Sequence, residues 1–223
     1  MRRLMRPLMR QHRRQCWRTA IGAVLVSLAA LAVPGFGGSA QAAGAQQEAA
    51  LGPILRAAIH DTGCDEHADR FDEEVFVRLH DRQLARFERD PRQRLQLLTQ
   101  AYCHAERVTR KYRTEKRFAL KMPPELLLAV MDVESRFNRY AVSSAGAVGL
   151  MQVMPFWPRE LKVENRLFGD TDFNIRLGAE ILGYYLFVER NDYVRALARY
   201  NGSLGRRTYP DLVLGRLQAR WRG

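Results

Sequence analysis

The residues with the clearest chemical potential lie in one stretch, "VESRFNRYAVSSAGAVGLMQVMP", Val133 to Pro155. Glu134 closes an apolar run and is followed by serines, glycines and a glutamine. A carboxyl group at the C-terminal end of a buried helix meets desolvation and the negative end of the helix dipole. Both raise its pKa. A glutamate that keeps its proton near neutral pH is suited to general acid catalysis. On the helix alone a plainer role fits better, an edge glutamate paired with Arg136 or Arg139. The loop that follows shifts the balance. "AVSSAGAVGLMQ" is too rich in Gly, Ala and Ser to pack as a helix, and Gly146 and Gly149 would let backbone approach a ligand closely. Backbone amides, the Ser143 and Ser144 hydroxyls and the Gln152 amide suit a ligand rich in hydroxyl and acetamido groups. Met151 and Met154 offer adaptable apolar surface. Turn chemistry for the glycines and core packing for the methionines are the competing readings.

A second carboxylate would change the chemistry, because sugar hydrolases use two. Asp132, Asp170, Asp172 and Glu180 are the candidates. Asp132 is two positions from Glu134 on a helix and so lies on a different face. The other three read as caps and surface charges. No metal site is expected: His60, Cys64 and His67 have suitable spacing, but no CxxC accompanies them. No cofactor is expected either.

The elements that must position Glu134 are helical throughout. "MPPELLLAVMDVESRF" starts with Pro123-Pro124, carries Glu125 in its first turn and is apolar nearly all round, which predicts a buried central helix. Upstream, Phe71, Val75, Leu79 and Arg82–Gln83 fall on one helical face and are expected to face inward. Asp90 and Pro91 start another helix, with Leu95, Leu98, Tyr102 and Cys103 expected toward the core. "NIRLGAEILGYYLFVERN", "DYVRALARYN" and "PDLVLGRLQARW" read as three further helices. No stretch alternates as a strand does, so the expected fold class is all-α.

The charge of +12 is unevenly placed. Residues 1–42 hold seven arginines and no acid, which leaves 29 basic against 24 acidic residues for the remainder. A nucleic-acid partner is therefore not expected. The basic region up to Arg18, the apolar run Ala20 to Val33 and the small residues around Ala40 and Ala42 read as a signal peptide over 1–42, cleaved after Ala42 or Ala43. An uncleaved anchor is the alternative, although the run is short for a membrane span. Export implies a periplasmic location and no stable membrane insertion after cleavage. Cys16 would leave with the signal, and Cys64 and Cys103 are expected to pair in an oxidising compartment. That bridge would close a loop of about 40 residues, worth about 3–4 kcal/mol; two buried free thiols are the alternative. Residues 43–58 read as a linker and 59–111 as an N-terminal helical extension.

The pattern "ES.F...AVSS.GA.GLMQVMP", followed by "NIRLGAEILGYYL" and "ALARYNGS", resembles the lytic transglycosylases of the soluble SLT type, family 1. These have a lysozyme-like, goose-type helical domain. The resemblance covers roughly residues 112–215 and marks 112–223 as a catalytic domain. It implies cleavage of peptidoglycan strands between N-acetylmuramic acid and N-acetylglucosamine, with a 1,6-anhydromuramoyl product, by a protein acting as a monomer. Glu134 matches the single acid/base, and Tyr200 the tyrosine whose hydroxyl holds it. Ser143, Gly149, Leu150, Met151, Gln152 and Asn201 match substrate-groove positions. The sequence departs from the family at Arg199, where alanine is usual, and at Ser203. Arg199, one residue off the tyrosine, is expected to point elsewhere. A hydrolase on the same fold and a non-catalytic wall-binding protein are the competing functions; an intact Glu134 and Tyr200 argue against the second.

Overall fold

Helix α1 spans residues 49–57, where the sequence reads as a linker. Leu51 and Leu55, four residues apart, are fully buried and join the main core. The small-residue composition around them hid a single apolar stripe. The computed structural model describes residues 49–57, 69–113, 119–162 and 169–222, all within one compact unit, Ala40–Gly223. The expected signal peptide, Cys16, His60, Cys64 and His67 lie outside the described residues.

Helices α2 (Arg70–Leu84) and α3 (Pro91–Lys111) pack against each other. Asp69 caps α2 through its side chain, a start not singled out in the sequence, whereas Asp90 caps α3 with Pro91 in its first turn as the sequence predicts. The expected inward face of α2 is reversed. Phe71 and Leu79 are 73% and 70% exposed, while Phe76, His80 and Leu84 are buried. Two stripes of four-residue spacing exist on this helix, and the choice between them is made from outside it. Phe76 and His80 meet Tyr102 and Trp221, whose rings lie 5.5 and 6.1 Å away respectively. On α3, Leu98, Tyr102 and Cys103 are buried as expected, but Leu95 is exposed.

Helix α4 (Pro124–Glu134) is the central one: every residue from Leu126 to Asp132 is buried. Around it stand α5 (Phe156–Leu161), α6 (Thr171–Val188), α7 (Tyr193–Tyr200), α8 (Thr208–Arg216) and a closing π-helical turn, Leu217–Trp221. No strand occurs among the described residues, only two isolated antiparallel bridges, Val142 to Val148 and Val148 to Val153. The fold is all-α. Helix α3 belongs to the same core, packing on both α4 and α6. Between α3 and α6, Glu180 is buried and bonded by Arg107 (3.0 Å) and Lys111 (2.8 Å). It is therefore an internal ion-pair partner, where the sequence suggested a surface charge. Such a pair fixes the register of two helices more than it stabilises them.

Candidate active site

The end of α4 is built by the four residues "ESRF". Ser135 caps the helix through its amide to the Met131 carbonyl. Its hydroxyl reaches the carbonyls of Met131 (3.1 Å) and Leu150 (2.9 Å), which ties the helix end to the loop that faces it. Arg136 and Phe137 both take left-handed backbone angles, φ 52° and 63°. Two such residues in succession are costly and concentrate at functional sites. Here they turn the chain so that Phe137 drops into an aromatic cluster with Phe87 (5.1 Å) and Trp221 (5.4 Å). Glu134 is left as the last helical residue, facing a groove of about 450 Å³.

Burial holds the Glu134 carboxyl above the usual carboxylate range, and a hydrogen bond from Tyr209 partly offsets this. The bond is short, Tyr209 Oη to Glu134 Oε1 at 2.6 Å. The tyrosine expected in this role was Tyr200. Its hydroxyl donates instead to the Met151 carbonyl at 2.7 Å. It still lies in the groove wall, and the nearby Glu134 charge helps to keep the buried phenol protonated. The two tyrosines thus divide the work: Tyr209 holds the acid, and Tyr200 holds the loop. Tyr209 was missed because α8 lies 75 residues from Glu134 and its only local signal is the helix start "TYPD". Neither arginine proposed as a partner for Glu134 takes that place: Arg139 bonds Gln93 at 2.6 Å, and Arg136 is exposed.

The facing loop is pinned from below by a residue the sequence did not single out. Asn174, buried on α6, accepts from the Met151 amide (2.9 Å) and donates to the Val148 carbonyl (3.0 Å). Gly149 sits at φ 81°, and a Cβ there would lie 2.5 Å from the Asn174 amide nitrogen. Its missing side chain therefore makes room for Asn174 and not for a ligand. Leu150 and Met151 are fully buried, and Met151 packs over Gly178 of α6, where a Cβ would come within 2.5 Å of the Met151 Cβ. These three expected groove positions serve as the floor beneath the groove. Tight packing of the motif against α6 explains why small residues recur on both sides.

Ser143, Gln152, Met154 and Asn201 do line the groove, together with Ala147, Phe156, Trp157, Ile181, Tyr185 and Tyr200. The Ser143 oxygen accepts from the Ala147 amide at 3.0 Å, so the hydroxyl keeps its own proton for a partner in the groove. Gln152, with φ 47°, donates its amide to the Ala141 and Gly149 carbonyls. Arg199 also lines the groove, contrary to expectation, because the last turn of α7 brings both it and Tyr200 to that wall. The aromatic and apolar walls suit the faces of sugar rings, and the hydroxyls and amides suit their edges.

The remaining carboxylates are committed elsewhere. Asp132 is buried and held by Arg220 (2.7 Å) and the Trp221 indole N–H (3.2 Å). Asp170 caps α6, and Asp172 lies 2.8 Å from His104. Glu134 is the one carboxylate lining the groove among the described residues. No group of three or more His, Cys, Asp or Glu side chains suited to a metal occurs among them.

The model of the transglycosylase SLT domain family matches residues 111–209. This segment is similar to that family. The match takes in Glu134, the loop with its Asn174 anchor, Tyr200 and Tyr209, which are the parts that build the groove. Relatives include membrane-bound lytic murein transglycosylase C of Actinobacillus pleuropneumoniae serotype 5b (strain L20), 36% identical over 87 residues, or 37% of this chain and 23% of that protein. The protein of the same description from Haemophilus ducreyi is 36% identical over 105 residues, or 41% of this chain and 27% of that one. The chain thus spans about a quarter of the length of these relatives. The 70 kDa soluble lytic transglycosylase of Escherichia coli is 18% identical with a TM-score of 0.36, over 80% of this chain and 31% of that one. Cys103, on the α3 flank of the SLT segment, is disulfide-bonded.

Proposed function

We propose that the chain is a peptidoglycan lytic transglycosylase. It would cleave the β-1,4 bond between N-acetylmuramic acid and N-acetylglucosamine without water and leave a 1,6-anhydromuramoyl end. The observation that carries this reading is a single carboxyl, its pKa raised by burial, in a groove of about 450 Å³, with Tyr209 on one oxygen. Because Oε1 accepts from Tyr209, the carboxyl proton belongs on Oε2, the oxygen left to face the substrate. Glu134 protonates the glycosidic oxygen, and the leaving sugar departs. The carboxylate so formed is held by the Tyr209 hydroxyl, which favours the charged form. It then takes the proton of the muramoyl C6 hydroxyl as that oxygen attacks C1. The acid is restored and no water is consumed. One carboxylate performs both proton transfers, so a second is not needed, in contrast with the paired carboxylates of hydrolases.

The same reading places the mature protein in the periplasm as a monomer, exported by residues 1–42, with Cys103 bridged to Cys64. The membrane-bound description of the relatives and the apolar run Ala20 to Val33 are compatible with either a cleaved signal or a retained anchor. No described helix is long and apolar enough to cross a membrane.

The test is mass spectrometry of muropeptides released from purified peptidoglycan. Wild-type protein is expected to release anhydromuropeptides. Glu134→Gln is expected to release none while still binding sacculi. Release of reducing ends by the wild type, or turnover by Glu134→Gln near the wild-type rate, would overturn the assignment.

A further inference from the structure

We propose that a second pocket receives the peptide stem of the glycan strand whose sugars occupy the groove. The inference rests on the reading of the groove as a peptidoglycan site. The pocket holds about 530 Å³ and is lined by Arg113, Lys121, Arg222 and Glu106, with Leu120 and Met122 among its apolar lining. Leu120 and Met122 are buried, and the three cations are exposed. None of the three makes a side-chain hydrogen bond or ion pair among the described residues. Arg222 feels the Glu125 carboxylate, in the first turn of α4, only at longer range. The sugars of a peptide-bearing strand carry no charge that could use these groups. The stem does: it has several carboxylates and, at its diamino-acid residue, an ammonium group. The carboxylates suit the two arginines and Lys121, and the ammonium suits Glu106.

The wall of the pocket, Ala119 to Met122, is held by three side chains. Asn191 accepts from the Lys121 amide (3.0 Å) and donates to the Ala119 carbonyl (2.9 Å). The Tyr193 hydroxyl donates to the Lys121 carbonyl at 3.0 Å, and the Thr109 hydroxyl reaches the Met122 carbonyl at 3.5 Å. Arg190 and Asn191 take left-handed backbone angles, φ 52° and 63°, where Asn191 makes these bonds. Arg222 follows Trp221, which is fully buried. The position of the pocket relative to the groove selects the occupant. Pro123 and Tyr193, at the starts of α4 and α7, line the pocket; Glu134 and Tyr200, at the ends of the same helices, line the groove. These helices have 11 and 8 residues, so the two sites lie about 12–16 Å apart. An extended stem of four or five residues spans about 13–18 Å, enough to reach the pocket from a sugar in the groove.

The test titrates isotope-labelled protein with the free peptide stem, released from purified peptidoglycan by an amidase, and reads binding by NMR. The amide signals of residues 119–122 and of Tyr193 should shift. Lys121→Glu and Arg222→Glu are each expected to raise Kd about tenfold. Arg86→Glu, an exposed charge reversal outside the pocket, should change it less than about twofold. Glu106→Gln separates the occupants. It should weaken stem binding about threefold, because the ammonium loses its partner, whereas a purely anionic ligand would bind this variant more tightly. Wild-type protein should also bind peptide-bearing strands about tenfold more tightly than amidase-stripped ones, and Lys121→Glu/Arg222→Glu should close that gap. The proposal is overturned if the stem leaves residues 119–122 unmoved, if Glu106→Gln binds it more tightly, or if phosphatidylglycerol vesicles occupy the pocket and the stem does not. A wild type that binds the stem yet releases no anhydro product would refute the functional reading and not the site.

Discussion

Tyr209→Phe isolates one hydrogen bond at the proposed catalytic acid. The ring stays, so the packing of α8 is preserved, and only the 2.6 Å bond to Glu134 Oε1 is lost. That bond stabilises the carboxylate more than the acid. It matters most after Glu134 has given up its proton, when the buried charge has no cationic partner pressing on it: burial and Tyr209 are the two influences that set its pKa. A hydrogen bond to a charged group is worth about 1.5–3 kcal/mol. If the whole of that is felt in the transition state, kcat falls about 10- to 150-fold. KM should change little, because the lost contact is to the enzyme's own acid. The pH profile carries a second signature. Without the bond, burial acts unopposed and Glu134 holds its proton to higher pH, so the alkaline limb of kcat moves upward. The assay is release of anhydromuropeptides across pH, with circular dichroism to confirm an unchanged fold. An unaltered kcat and an unmoved alkaline limb would refute the role given to Tyr209.

Tyr200→Phe should behave differently, since its hydroxyl bonds the Met151 carbonyl. We expect a stability loss of about 1 kcal/mol in denaturant unfolding, with no shift of the alkaline limb. Glu134→Gln should be more thermostable than wild type at neutral pH. The folded pKa of Glu134 is raised, so the stability linked to its proton is fully present below the ordinary carboxylate range and is lost as pH rises through the folded value. The difference in Tm should accordingly close as pH falls toward about 4.

The helices were largely legible because their signals are local. Asp90-Pro91 and Pro123-Pro124 mark starts that the structure keeps, and α4 is buried because it is apolar all round. What was not legible depends on partners distant in sequence. The inward face of α2 is selected by Trp221 and Tyr102, so spacing alone picked the wrong stripe. The motif "GLMQ" is visible as a motif, yet Gly149, Leu150 and Met151 serve Asn174 and Gly178 beneath the groove and not the groove itself. Tyr209 reaches Glu134 through α8 and Arg199 reaches the groove through α7, and neither carries a local mark of that destination. Ser143 and Gln152 line the groove and also hold the turn that carries them, through the Ala147 amide and the Ala141 and Gly149 carbonyls.

The Asp132 anchor has a consequence for how the acid comes into being. Asp132 is two positions before Glu134, and its partners Arg220 and Trp221 are 88 and 89 residues further along. Tyr209 reaches Glu134 across 75. Contacts of such separation close late, after local helices have formed. Until they close, Glu134 sits in water with an ordinary pKa and gives up its proton at neutral pH like any surface glutamate. The two influences on the Glu134 carboxyl, burial and the Tyr209 bond, are thus products of tertiary closure and not of α4 alone. A fragment cut where the family match stops, at residue 209, would keep every motif and lose Arg220 and Trp221, the partners of Asp132.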